Sequence, residues 1–204
     1  MGRRVAMLRK AFGGAIFLMS LVVAPALKAT EKGSSGIYMT ASAYQNGVLT
    51  AEGRCDSKEH ELELHDVLNK TYIHATHGSE TRRYDQRDIF GFRSCEGLDY
   101  RFVENREYQI LEAKRIYVYF IKVRMPNTPG ARASWLKSEY HFSVGAEGPV
   151  LLLTVDNVKR AFPDDHRFHD SLEQTLASGQ KLAQYDEVHK MFRVNWLLMA
   201  SAER

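Results

Sequence analysis

The run at residues 115–124, Arg-Ile-Tyr-Val-Tyr-Phe-Ile-Lys-Val-Arg, constrains this chain more than any other stretch. In an extended strand Ile116, Val118 and Phe120 point one way, and Tyr117, Tyr119, Ile121 and Val123 the other. Both sides are mostly apolar and rich in β-branched and aromatic residues. Such a strand wants neighbours on both edges and packing above and below. Shorter strand-like segments surround it: 61–64, 72–76, 81–84, 88–93, 99–103, 107–111, 135–144 and 150–153. Tyr140, Phe142 and Val144 alternate with Glu139, His141 and Ser143, which predicts the first three inward. Turn residues separate the segments, among them Asn105-Arg106 and Gly145-Ala146-Glu147-Gly148. Consecutive strands joined by short turns predict an antiparallel meander.

The pattern changes at Thr154. Thr154 caps a helix over 155–162 that Pro163 stops. Asp164 or Asp165 caps a second, with Phe168, Leu172 and Leu176 on one stripe and Gly179 at its end. A third is expected from about Gln180, with Leu182, Tyr185, His189, Phe192 and Trp196 along one side. Near the start, Thr40 caps a short helical turn that Asn46-Gly47 ends. The fold class is therefore α+β: a meander of about seven to nine strands, as a twisted sheet or partial barrel, followed by about three C-terminal helices.

Residues 1–29 stand apart. Arg3, Arg4, Arg9 and Lys10 precede an apolar run of about 13 residues, and alanine-ended cleavage sites follow at Ala26 and Ala29. This is the three-part pattern of a secretory signal peptide. A membrane anchor needs roughly 20 apolar residues. The expectation is a signal peptide at 1–29 and one exported domain at 30–204, β-rich over 30–153 and helical over 154–204. The location is then periplasmic or extracellular, with no transmembrane span after cleavage. The leader holds five of the basic residues and no acidic ones, so its removal takes the formal charge from +3 to −2. The remaining chain lacks the basic footprint of a nucleic-acid binder.

Cys55 and Cys95 are the two cysteines. In an exported chain such a pair predicts one disulfide. Two separate thiols, one of them catalytic, is the other reading.

Gly36-Ile37-Tyr38-Met39-Thr40, Asp88-Ile89-Phe90-Gly91-Phe92, Tyr100-Arg101-Phe102, Glu107-Tyr108-Gln109-Ile110-Leu111, His141-Phe142-Ser143-Val144-Gly145 and Ala161-Phe162-Pro163-Asp164 together resemble a group of uncharacterised exported proteins of the Bacteroidota. The resemblance spans most of the mature chain. It implies an envelope protein and brings no activity or functional residues with it.

Motifs for catalysis are sparse. No Gly-x-Ser-x-Gly, His-Glu-x-x-His, phosphate-binding Gly-x-x-x-x-Gly-Lys or dinucleotide fingerprint occurs. His166 and His169 share a helix face beside Asp165 and Asp170 and are the candidate metal ligands, although zinc needs three or four. Glu104, Glu107, Glu112 and Glu139 are the carboxylates on the sheet that an acid–base pair would draw on. Tyrosines are the stronger signal. Tyr100, Tyr108, Tyr117, Tyr119 and Tyr140 are the candidate ligand-binding residues, since a tyrosine face stacks on a sugar or lines a lipophilic pocket. These features predict a non-enzymatic envelope protein that binds a protein, glycan or lipid component, with no cofactor. The competing readings are a hydrolase of an envelope or extracellular substrate and a structural or assembly subunit.

Overall fold

The computed structural model describes residues 33–57, 59–64, 71–124 and 136–203. The leader pattern and the loop with Pro126 and Pro129 lie outside them. In chain order the elements are β1 (Ser34–Tyr38), α1 (Ala41–Gln45), β2 (Thr50–Arg54), β3 (His60–Leu64), β4 (Tyr72–His77), β5 (Glu80–Asp85), β6 (Gly91–Arg93), β7 (Asp99–Val103), β8 (Arg106–Ala113), β9 (Ile116–Arg124), β10 (Leu136–Val144) and β11 (Leu151–Leu152). Then follow α2 (Val155–Ala161), α3 (His166–Ala177), β12 (Tyr185–Asp186), β13 (Met191–Phe192) and α4 (Arg193–Ala202).

The main sheet is open and wholly antiparallel, with eight strands in the order β11-β10-β9-β8-β7-β6-β1-β2. From β6 to β11 it is the expected meander. The β7–β8 hairpin turns through Glu104 and Asn105, both in the left-handed region (φ 49 and 60). That backbone twist matches paired strands.

Strands β3, β4 and β5 form a separate antiparallel sheet instead of extending the meander. Its alternation is one-sided. Leu62, Leu64, Ile73, Ala75 and Tyr84 pack against Ile37, Phe92 and Phe102 of the main sheet. Gly53 admits this docking, because a Cβ there would meet the His60 ring at 2.1 Å.

Strand β9 is buried on both sides, as its composition demanded. Ile116 and Val118 meet the helices, and Tyr117 and Tyr119 meet α1 and neighbouring loops. The alternation expected for β10 holds at Phe142 and fails at its neighbours. His141, Phe142 and Ser143 are all buried, whereas Tyr140 and Val144 are exposed. Where both faces of a sheet are covered, polar alternation no longer marks inside from outside. Position along the strand decides instead.

The caps are those expected: Thr40, Thr154 and Asp165 accept from the backbone N–H of Ala43, Asn157 and Phe168. The third helix is shorter than expected. It starts at Arg193, and residues 185–192 form the small β12–β13 hairpin. Asp186 Oδ1 accepts from the N–H groups of Val188 and His189, and Lys190 takes a positive φ of 51. This Asx-type turn competes with helix locally and wins. Among the described residues no helix is long and apolar enough to cross a membrane.

The helices are tied to the sheet by one polar junction. A bulge between Ile110 and Glu112 turns Glu112 onto the face of Val118. Its carboxylate accepts from Phe192 N–H at the start of α4 (3.1 Å) and from Asn195 Nδ2 (2.7 Å). Asn195 also accepts from Ile116 N–H (3.1 Å) and donates to Ile116 C=O (2.7 Å). Asn195→Ala leaves both buried groups of Ile116 unpaired. It should lower stability by about 2–4 kcal/mol in urea unfolding, while an exposed change such as Met199→Ala should not. Cys55 and Cys95 are bonded, joining the end of β2 to the β6–β7 turn. Reduction, or a Cys55→Ser/Cys95→Ser pair, should cost about 3–4 kcal/mol in the same measurement.

Candidate binding site

The sheet sorts the five predicted tyrosines by face. Register aligns Tyr100 with Gln109, Gln109 with Phe120, and Phe120 with Tyr140, a ladder across β7–β10. Tyr100 stacks on Phe92 with centroids 4.8 Å apart, and Phe120 meets Tyr140 at 5.6 Å. Tyr100, Gln109 and Phe120 are half-buried, and Tyr140 is 37% exposed. The small β3–β5 sheet covers this face at Phe92 and Phe102, and the helices cover it at Ile116, Val118 and Phe142. The ladder runs between these two coverings.

Tyr108, Tyr117 and Tyr119 lie on the opposite face and are buried. Arg101 reaches them there. Its Nη1 donates to the Tyr119 hydroxyl (3.0 Å) and to Ser143 Oγ (3.4 Å). Ser143 spends its own proton on Gly145 C=O (2.6 Å), so Tyr119 is the donor in their 2.8 Å contact. No carboxylate among the described residues pairs with Arg101. Its guanidinium lies 5.5 Å from the Phe90 ring centroid and 5.9 Å from that of Tyr119. Gln45 of α1 donates to Tyr117. Burial raises the Tyr119 hydroxyl above its ordinary pKa and lowers His141, whose ring meets Tyr108 edge-on. Farther along this face Arg93 grips Asp99 with two bonds, and Tyr38 donates to the same carboxylate. Arg101, Tyr119 and Ser143 are buried, and the cluster links the strands of this face.

The other candidates are dispersed. Among the carboxylates, Glu112 serves α4, Glu139 pairs with Lys137 (3.1 Å) and Glu104 occupies the β7–β8 turn. The His166 and His169 rings are 5.9 Å apart, but His169 Nε2 donates to Phe162 C=O (2.7 Å). Asp165 caps α3 and accepts from Ser201. Among the described residues no three His, Cys, Asp or Glu side chains come together as metal ligands.

The feature the sequence marked only through Tyr140 is a groove of about 530 Å³ beside the last strands. Tyr140, Leu152, Val155, Leu176 and Leu182 line it, from β10, β11, α2, α3 and the loop beyond. Leu176 is 63% and Leu152 43% exposed. Leu176 read as a core position from its stripe with Phe168 and Leu172. Those two are fully buried, and Leu176, one turn later, clears the packing.

Two buried histidines carry a pH dependence. His60 Nε2 lies 2.7 Å from Ser35 Oγ. Its pKa is lowered by burial and by His77 opposite; that of His141 is lowered by burial and Arg106, against an upward pull from Glu139. The unfolded chain, with ordinary imidazoles at 6.5, therefore binds more protons than the fold just below that pH. Stability should fall as pH drops through 6.5 towards the lowered folded values, and this contribution should level off below them. Urea midpoints across that window test it, and a His60→Gln/His141→Gln pair should flatten the slope. No family model, curated protein or solved structure matches the chain.

Proposed function

We propose that this is a non-enzymatic binding module of an exported, oxidising compartment, and that the groove at Tyr140 takes an apolar segment of an envelope ligand. The observation that carries the reading is the concave grouping of exposed apolar side chains, Tyr140, Leu152 and Leu176, in one groove. Water-exposed apolar surface gathered in a concavity of this size is the ordinary form of a small-ligand site. The leader pattern of residues 1–29 and the bonded Cys55–Cys95 pair support the exported location. Among the described residues the serine–histidine contact, Ser35 with His60, favours binding over hydrolysis, because Ser35 is only 1% exposed and no substrate carbonyl reaches it.

The test is thermal and urea unfolding of the oxidised chain with oleate, lysophosphatidylcholine and dodecyl maltoside, each below its micelle threshold. An occupant at about 100 times its dissociation constant should add about 2.7 kcal/mol of stability. Tyr140→Asp and Leu176→Asp, both at exposed positions, should abolish that gain without lowering the unliganded midpoint. A chain that none of the probes stabilises, or whose variants respond as the parent does, refutes the groove as the site.

A further inference from the structure

A second groove, of about 580 Å³, runs between α3 and α4 and is polar where the first is apolar. Helix α3 contributes Arg167, Asp170, Ser171 and Gln174 to it, spaced i, i+3, i+4 and i+7 along one stripe, and Ser178 follows just past its end. Helix α4 contributes Trp196, which is half-buried and leans on His189 with ring centroids 5.0 Å apart.

The hydrogen-bonding state of these groups is specific. No hydrogen bond or ion pair among the described residues engages the guanidinium of Arg167, the carboxylate of Asp170 or the amide of Gln174. The hydroxyls of Ser171, Thr175 and Ser178 instead donate to carbonyls of their own helix, those of Arg167, Ser171 and Thr175. Their protons are spent and their lone pairs remain. The groove thus offers donors on Arg167, acceptors on Asp170 and the hydroxyls, and both on Gln174. One positive and one negative side chain cancel.

We infer that this groove is a binding site for a neutral carbohydrate, with Trp196 as the ring platform and Arg167, Asp170 and Gln174 as the hydroxyl-reading groups. A sugar presents C–H groups on its ring faces and hydroxyls around the rim, each hydroxyl both donor and acceptor. An aromatic side chain takes the first, and fork-shaped polar groups take neighbouring members of the second. A simple anion would be opposed by Asp170, and a cation by Arg167. The site stands independently of the apolar groove, although Gln180 borders both.

The chain has two tryptophans, Trp135 and Trp196, so a Trp135→Phe variant reports from the groove alone. Its fluorescence is titrated with maltotetraose, cellotetraose and tetra-N-acetylchitotetraose. The expected result is a saturable change with at least one of them, at a dissociation constant of about 1 mM or tighter. Adding Asp170→Ala and Gln174→Ala should weaken that binding at least tenfold, with the melting midpoint unchanged because neither side chain has a partner to lose among the described residues. Trp196→Phe tests the platform by calorimetry and should weaken binding less than loss of the polar pair does. No saturable change with any of the three sugars overturns the inference. So does binding that survives in the Asp170→Ala/Gln174→Ala variant.

Discussion

The side chain of Asn195 behaves as a one-residue strand. Its amide pairs with both the N–H and the C=O of Ile116, where β8 has just turned away into β9. Glu112 completes the junction by receiving the N–H of Phe192, the residue just before α4, and the spare proton of the Asn195 amide. Buried polar groups are tolerated only when each has a partner, and here each partner comes from a different layer. The junction sets how α4 meets the sheet. Val194, Leu197 and Leu198 follow it into the core formed by Ile116, Val118 and Phe142. Without the bulge at residue 111, Glu112 would point to the opposite face and the helix start would lose its acceptor.

A sheet covered on both faces divides similar residues between two roles. Tyr117 and Tyr119 fill space on the face toward α1 and use their hydroxyls to satisfy Gln45, Arg101 and Ser143. Tyr140, one strand away and on the other face, has its ring partly in water. Tyrosine suits both settings, since an apolar body and a polar tip can be buried or left at a boundary. The buried guanidinium of Arg101 is held by neutral hydroxyls and aromatic faces rather than by a carboxylate. That arrangement binds three strands to one side chain.

Both grooves lie where the helical layer stops short of covering the sheet or its own second helix. Helix α3 is the ridge between them. Phe168 and Leu172 anchor it, and past Leu172 its apolar stripe runs out from under the sheet, so that Leu176 faces the apolar groove. Its polar stripe faces the groove with Trp196. Glycine ends the helix at residue 179 with a φ of +72, and the chain then lines both grooves at Gln180 and the apolar one at Leu182.

What the sequence determined by itself was whatever acts within a few residues. Thr40, Thr154 and Asp165 cap helices because a short oxygen-bearing side chain reaches an N–H two or three residues on. The apolar run of β9 could be satisfied only in a sheet interior. The pairing of Cys55 with Cys95 was one of two readings the sequence left open, and the structure shows the bond. Tertiary structure alone decided what depends on coverage. It split β3–β5 from the meander, because their single apolar face needed the Ile37–Phe92 surface. It put Tyr108, Tyr117 and Tyr119 on the face toward α1, and Tyr100 and Tyr140 on the face that carries β3–β5 and the helices. It gave Glu112 and Asn195, separated by 83 residues, their shared junction, and it brought β10, β11, α2 and α3 together around one groove. Periodicity reports which residues share a side, but the free energy of burial depends on what packs there, and that is settled only when distant segments meet.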